Sequence, residues 1–107
     1  MRFGLKETVV EQINALCQKY SAIEQVIIYG SRAKGNYKPG SDIDLTIVGE
    51  IDLSTMFKLE DEIDDLLLPY MIDLSVMKKI ENPDLIEHIQ RVGQVFYQKQ
   101  EPALNNN

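Results

Sequence analysis

The sequence predicts an α/β fold of the α+β type, a mixed β-sheet of three to four strands with helices packed on one face. Two patterns point there. Apolar residues recur at helical spacing in three stretches: Val9, Ile13, Leu16, Cys17 and Tyr20; Met56, Leu59, Ile63, Leu66 and Leu67; and Leu85, Ile86, Ile89 and Val92. Between them lie short segments of strand composition or strict alternation, at 24–29, 42–48 and 71–77. The chain of 107 residues is long enough for one modest core.

The first apolar stripe places an amphipathic helix at about residues 6–20. Residues 24–29 contain Val-Ile-Ile-Tyr and form a strand. A glycine-rich loop follows at 30–41, with room for one helical turn at 31–34. In 42–48, Asp42, Asp44 and Thr46 share one face, while Ile43, Leu45 and Ile47 share the other. The second helix is ended by Pro69, and its polar face, Glu60 to Asp65, is expected to be solvated. Residues 71–77 alternate again, with Ile72, Leu74 and Val76 opposite Asp73 and Ser75. Asn82-Pro83 supplies an N-cap and a first-turn proline for the last helix, and Gly93 its stop. Val95, Phe96 and Tyr97 make a short last strand. Residues 1–97 form a single domain, and the polar stretch 98–107, ending in three asparagines, is expected to be a flexible tail.

Composition narrows the function classes. The absence of any long apolar run excludes a membrane-spanning helix, and the first residues lack the apolar stretch of a signal peptide. Cys17, the lone cysteine, cannot form an internal disulfide and falls in a core pattern, which fits a cytoplasmic protein. The net charge of −6 argues against a nucleic-acid partner. Arg32, Lys34 and Lys38 instead gather in the one glycine-rich loop, a local positive patch suited to a small anion.

Aspartate is depleted in strands, yet Asp42, Asp44 and Asp73 occupy strand positions that share a face by parity. Clustered carboxylates repel unless a cation lies between them. Magnesium takes oxygen ligands and sits between carboxylates and substrate phosphates, and a pair of such ions can clamp an in-line phosphoryl displacement. Directly after the first strand comes Tyr29-Gly30-Ser31-Arg32-Ala33-Lys34-Gly35. Gly30 lets the backbone approach a ligand, Ser31 offers an amide and a hydroxyl, and Arg32 and Lys34 can neutralise a triphosphate tail. Gly30 and Gly35 have the spacing of a Walker A loop, but Asn36-Tyr37 stands where Lys-Ser or Lys-Thr is required.

Gly30-Ser31, ten intervening residues, and then Asp42-Ile43-Asp44 resemble the signature of the minimal nucleotidyltransferases (MNT) of the DNA polymerase beta superfamily. The resemblance covers about residues 6–97, and Asp73 within Met71-Ile72-Asp73-Leu74 matches a third carboxylate. It implies a nucleotidyltransferase palm core in which Asp42 and Asp44 bind two magnesium ions. Asp73 would bind one of them and help deprotonate an acceptor hydroxyl. Gly30 and Ser31 would hold the β- and γ-phosphates. The implied reaction moves a nucleoside monophosphate from ATP or another nucleoside triphosphate, AMP from ATP being the first choice, to a hydroxyl and releases pyrophosphate. The implied partner is an all-helical HEPN protein, a ribonuclease toxin silenced by adenylylation of a tyrosine, giving a hetero-oligomer or a homodimer.

Two other readings stay open on the sequence alone: transfer to a small-molecule hydroxyl with a partner subunit supplying the pocket, and a binding module that neutralises its partner by occlusion. His88, the lone histidine, sits beside apolar Ile89 in a helix whose core positions are already assigned and is expected at the surface. Tyr29, Tyr37, Tyr70 and Tyr97 are expected to pack or to rim the site.

Overall fold

The alternating and helical stretches resolve, in the computed structural model describing residues 1–100, into a four-stranded sheet and four α-helices among the described residues. In chain order they are α1 (Glu7–Gln18), β1 (Ile23–Tyr29), α2 (Ser31–Lys34), β2 (Ile43–Gly49), α3 (Leu53–Asp64), β3 (Ile72–Val76), α4 (Pro83–Val92) and β4 (Gln94–Gln98). A single 3₁₀ turn, Met77–Lys79, follows β3. The mixed sheet runs β3-β2-β1-β4, with β2–β3 parallel and β1 antiparallel to both β2 and β4. Residue 98 ends β4, while 101–107 of the expected tail lie outside the described residues. No described helix is long and apolar enough to cross a membrane.

One sheet face is buried under α1 and α3. Val9, Val10, Ile13 and Cys17 of α1 and Met56, Leu59 and Ile63 of α3 join Val26, Ile28, Ile43, Leu45, Ile47 and Val76 of the strands in one core. Burying side chains of this size stabilises by about 1.5–3 kcal/mol each, so the two stripes orient both helices. Tyr20 and Lys19 at the end of α1 both donate to the Glu62 carboxylate of α3, fixing the pair at its rim. Burial and the neighbouring Glu62 charge push the Tyr20 phenol up to about 12. Desolvation likewise lifts the buried Cys17 thiol to about 12, in keeping with a core side chain.

The helices do not all lie on that face. Parity places Ile27 on the opposite face with Thr46 and Asp44, and a Cβ on Gly93 would lie 2.7 Å from Ile27 Cγ2. The end of α4 thus meets the sheet from the carboxylate side, because β4 must enter the sheet beside β1 immediately afterwards. Gly93 stops α4 through lack of space rather than through a left-handed turn. Its φ is −62°, and a Cβ there would stand 2.4 Å from the Ile89 carbonyl oxygen. Asn82 caps α4 as expected, its Oδ1 accepting from the Asp84 amide at 2.9 Å.

The second helix is displaced from its apolar pattern. It starts at Leu53, capped by Asp52 Oδ1 accepting from the Thr55 amide at 2.8 Å, and stops at Asp64. Two further turns close through Leu66 and Leu67, where Leu67 takes φ +54° and is 88% exposed. Leu67 is therefore outside the helical face to which its spacing assigned it.

Candidate functional site

The site is built where β1 ends and β2 begins. Tyr29 is the last residue of β1, and its Cα partner across the antiparallel ladder is Asp44. Asp44 in turn is the partner of Asp73 on the parallel ladder between β2 and β3. Tyr29, Asp44 and Asp73 consequently form a row across three adjacent strands. Side chains of laterally paired residues emerge on one face, so the row presents a phenol and two carboxyls side by side. Asp42 stands one residue before β2, exposed, at the mouth of the same face. The strand begins at Ile43 rather than at Asp42.

Gly30 leaves β1 with φ 73° and ψ −155°, a region essentially closed to other residues. A Cβ built on it would stand 2.3 Å from Asp44 Oδ2. The backbone angles require glycine, and any Cβ there would also push the Asp44 carboxylate from its place. Ser31 then opens α2, a single turn closed by Lys34 N to Gly30 O at 3.0 Å and Gly35 N to Ser31 O at 2.9 Å. Helix starts leave amides without intrahelical acceptors, and α2 starts at Ser31, one residue after the glycine that abuts Asp44.

Burial raises the Asp44 carboxyl above the usual range. The neighbouring Asp73 and Asp42 charges raise it further, and His88 opposes them. Burial also raises the Tyr29 phenol, with Asp73 and Asp44 adding to it. A carboxylate whose ionised form is disfavoured by its own surroundings has too little positive charge beside it to offset burial and its neighbours. A divalent cation fits that need, and the oxygen-only donor set of Asp42, Asp44 and Asp73 suits magnesium. Among the described residues, no three acidic, histidine or cysteine side chains close a metal cage by themselves. Magnesium characteristically completes such a partial set with water and substrate phosphate oxygens.

The structure separates the two basic residues that the sequence grouped together. Lys34 is exposed at the end of α2. Arg32 is 2% exposed, and its guanidinium is committed elsewhere. It donates to the carbonyl oxygens of Ser41 (2.9 and 3.1 Å), Pro39 (3.1 Å) and Phe3 (3.0 Å). The Tyr37 and Tyr70 rings flank it at 5.3 and 5.0 Å. This corrects the expectation that Arg32 faces phosphate: with its donors spent on carbonyls, it fastens the loop that delivers Asp42.

Two residues of this face escape the sequence patterns. His88 is not a free surface residue. Its Nε2 accepts a hydrogen bond from the Gly30 amide at 3.1 Å, and its ring meets the Tyr29 ring edge-on, with centroids 6.1 Å apart. Thr46, next to Asp44 on the same side of β2, is fully buried, and its hydroxyl has no hydrogen-bond partner among the described residues. Alternation puts Thr46 on this face, but no local pattern announces the burial of Thr46 or the contact of His88, because both depend on chain returning from far along the sequence.

The sequence profile of the family described as "Polymerase beta, Nucleotidyltransferase" matches residues 11–102. A protein of Methanocaldococcus jannaschii, described as a candidate protein adenylyltransferase, is 35% identical over 77 residues, covering 71% of this chain and 74% of the relative. Two solved structures share the fold. One is a chain from the crystal structure of a toxin–antitoxin pair with AMP-PNP (TM-score 0.66, 18% identity, 90% of this chain and 76% of that chain). The other is a chain from tri-AMPylated Shewanella oneidensis HEPN toxin in complex with MNT antitoxin (TM-score 0.65, 15% identity, 90% and 75%). At those identities the structural likeness is one of fold.

Proposed function

This chain belongs to the polymerase beta nucleotidyltransferase family, and from that premise we propose that it transfers AMP from ATP to a tyrosine hydroxyl of a HEPN-type helical partner, silencing that partner as an antitoxin. The observation that carries the reading is the lateral row of Asp44 and Asp73 set beside a glycine turn where any Cβ would displace the Asp44 carboxylate. The named relatives favour adenylate as the group and protein as the acceptor: one is described as a candidate protein adenylyltransferase, and the fold recurs in a complex with an AMPylated HEPN toxin.

In this proposal Asp42, Asp44 and Asp73 hold two magnesium ions, which when bound neutralise the triphosphate and stabilise charge on the attacking and leaving oxygens. Gly30 and Ser31 cradle the β- and γ-phosphates, and Lys34 offsets their charge. The tyrosine oxygen forms a bond to the α-phosphorus as the bond from that phosphorus to the α–β bridging oxygen breaks, and pyrophosphate leaves. Asp73, at the open edge strand of the sheet, takes the hydroxyl proton. Positioning an acceptor requires walls on more than one side, and a protein partner closing over the edge beside Asp73 supplies them in a hetero-oligomer.

Mass spectrometry of a co-expressed HEPN-type partner tests this directly. The expected result is a mass gain in multiples of AMP with the native chain and none with Asp44→Ala. A partner that is bound and neutralised yet unmodified would establish the occlusion reading. Absence of any complex, with AMP transferred to a small hydroxyl compound, would establish the small-molecule reading.

A further inference from the structure

His88 reaches the phosphate turn from α4, 58 residues away in sequence. Glycine carries the largest conformational freedom of any residue, so a turn built on it is tight but not intrinsically fixed. At Gly30 both backbone polar groups are held. The carbonyl accepts from the Lys34 amide at 3.0 Å, and the amide donates to His88 Nε2 at 3.1 Å. The first bond is local to α2 and moves with it. α2 is itself held by Gln94 Nε2 donating to the Ala33 carbonyl at 2.7 Å and by the Arg32 contacts. Of the two bonds at Gly30, only the second reaches a separate element, and that element is anchored to the sheet through buried Ile89 and through the close approach of Gly93 to Ile27.

The chemistry of the contact is specific. Tyr29 packs against the ring and would accept any flat aromatic side chain. The Gly30 amide requires an acceptor at the Nε2 position. With that amide engaged by His88, it is not free to donate to a ligand, so the turn's donors toward phosphate begin at Ser31.

We propose that His88 is a positioning residue for the phosphate turn, fixing the Gly30 peptide so that the Ser31 amide and hydroxyl are preset for the β- and γ-phosphates of a nucleoside triphosphate. The inference rests on the nucleotidyltransferase reading above and adds to it a residue from outside the strand–turn–strand unit. Its signature is selectivity for the polyphosphate: a monophosphate does not reach the turn and is indifferent to it.

The test compares binding of fluorescent mant-ATP and mant-AMP, each with magnesium, to the native chain, His88→Phe and His88→Gln. Phenylalanine keeps the ring against Tyr29 and removes the acceptor. Glutamine loses the ring and places an amide oxygen near the Nε2 position. The expected result is a loss of mant-ATP affinity of about tenfold for His88→Phe, the weight of one hydrogen bond, with mant-AMP unchanged. His88→Gln should recover most of the native mant-ATP affinity, with thermal melts showing each variant folded. Native mant-ATP affinity in His88→Phe overturns the inference alone, as does an equal loss for both nucleotides, which would mark His88 as a packing residue. A native chain that binds mant-AMP and mant-ATP equally, or binds neither, overturns the triphosphate reading and this inference with it. If His88→Phe does not fold, His88→Gln and His88→Ala decide the matter. A smaller mant-ATP loss in His88→Gln than in His88→Ala, with mant-AMP unchanged in both, sustains the inference, and equal losses overturn it.

Discussion

Gly30 and Asp44 stand so close that no side chain fits between them: the first carbon of any residue at 30 would lie 2.3 Å from Asp44 Oδ2. Gly30→Ala must therefore displace the Asp44 carboxyl or open the turn, and it also places a side chain at φ 73°. The expected cost is about 1–3 kcal/mol of stability, read as a lower Tm, together with loss of AMP transfer. Ser31→Ala, which removes one hydroxyl, should leave Tm near native and weaken ATP use far less. Equal, small effects of the two changes would show that the turn does not hold phosphate.

Asp44 is also a stability liability. Its folded-state carboxyl is raised by burial and then by Asp73 and Asp42. A raised carboxyl means the folded chain binds a proton more readily than the unfolded one, so this group's contribution improves as pH falls through the folded value and is a penalty at neutral pH. Asp44→Asn should abolish transfer while raising Tm at pH 7, and the gain should shrink as pH is lowered toward about 4, near the ordinary carboxylate value. Magnesium should raise the Tm of the native chain more than that of Asp44→Asn. A lower Tm for Asp44→Asn at pH 7 would refute the picture of an unpaired carboxylate awaiting a cation.

Arg32 and Lys34 should give opposite phenotypes. Arg32→Lys cannot reproduce a planar fork that reaches three carbonyl groups, and Arg32→Met leaves those partly buried carbonyls without their donor. Either should cost about 2–4 kcal/mol in denaturant unfolding and disturb transfer through Asp42. Lys34→Ala should keep native stability and weaken ATP binding several-fold. Native ATP binding in Lys34→Ala would remove Lys34 from the site.

Thr46 buries a hydroxyl with no partner among the described residues. Thr46→Val keeps the branched shape, discards the unsatisfied group and should be neutral or stabilising, by up to about 1 kcal/mol, with transfer unchanged. A destabilised variant, measured by the same unfolding, would reveal a hydrogen bond to that hydroxyl.

What can be read from the sequence is whatever obeys a short period. Asp44 and Asp73 share a face because strand side chains alternate, and their register pairs them directly. Asn82-Pro83 announces a helix start, and α2 lies at 31–34 as its loop suggests. Arg32 is not legible in this way. A loop arginine near glycines looks alike whether it meets phosphate or the carbonyls of Phe3 and Pro39, and only the folded loop decides. Leu67 fits a helical stripe, but the α-helix stops at Asp64 and the turns that follow carry Leu67 to φ +54° and out of the stripe. Asp52 is a visible cap three residues before Thr55, yet the apolar stripe beginning at Met56 draws the helix start too late. His88 has no signal, since nothing within a few residues of it records a partner 58 positions away.

Because His88 is the sole histidine of the chain, the molecule carries its own spectroscopic reporter. Once any purification tag is removed, the aromatic proton spectrum holds a single imidazole, whose ring lies against Tyr29 and whose Nε2 touches the Gly30 amide. Its Cε1 proton resonance therefore needs no assignment by mutagenesis. Titrating nucleotides while following that one line would follow the turn itself, residue-specific and label-free, in a mixture containing any partner protein whose own histidines are deuterated.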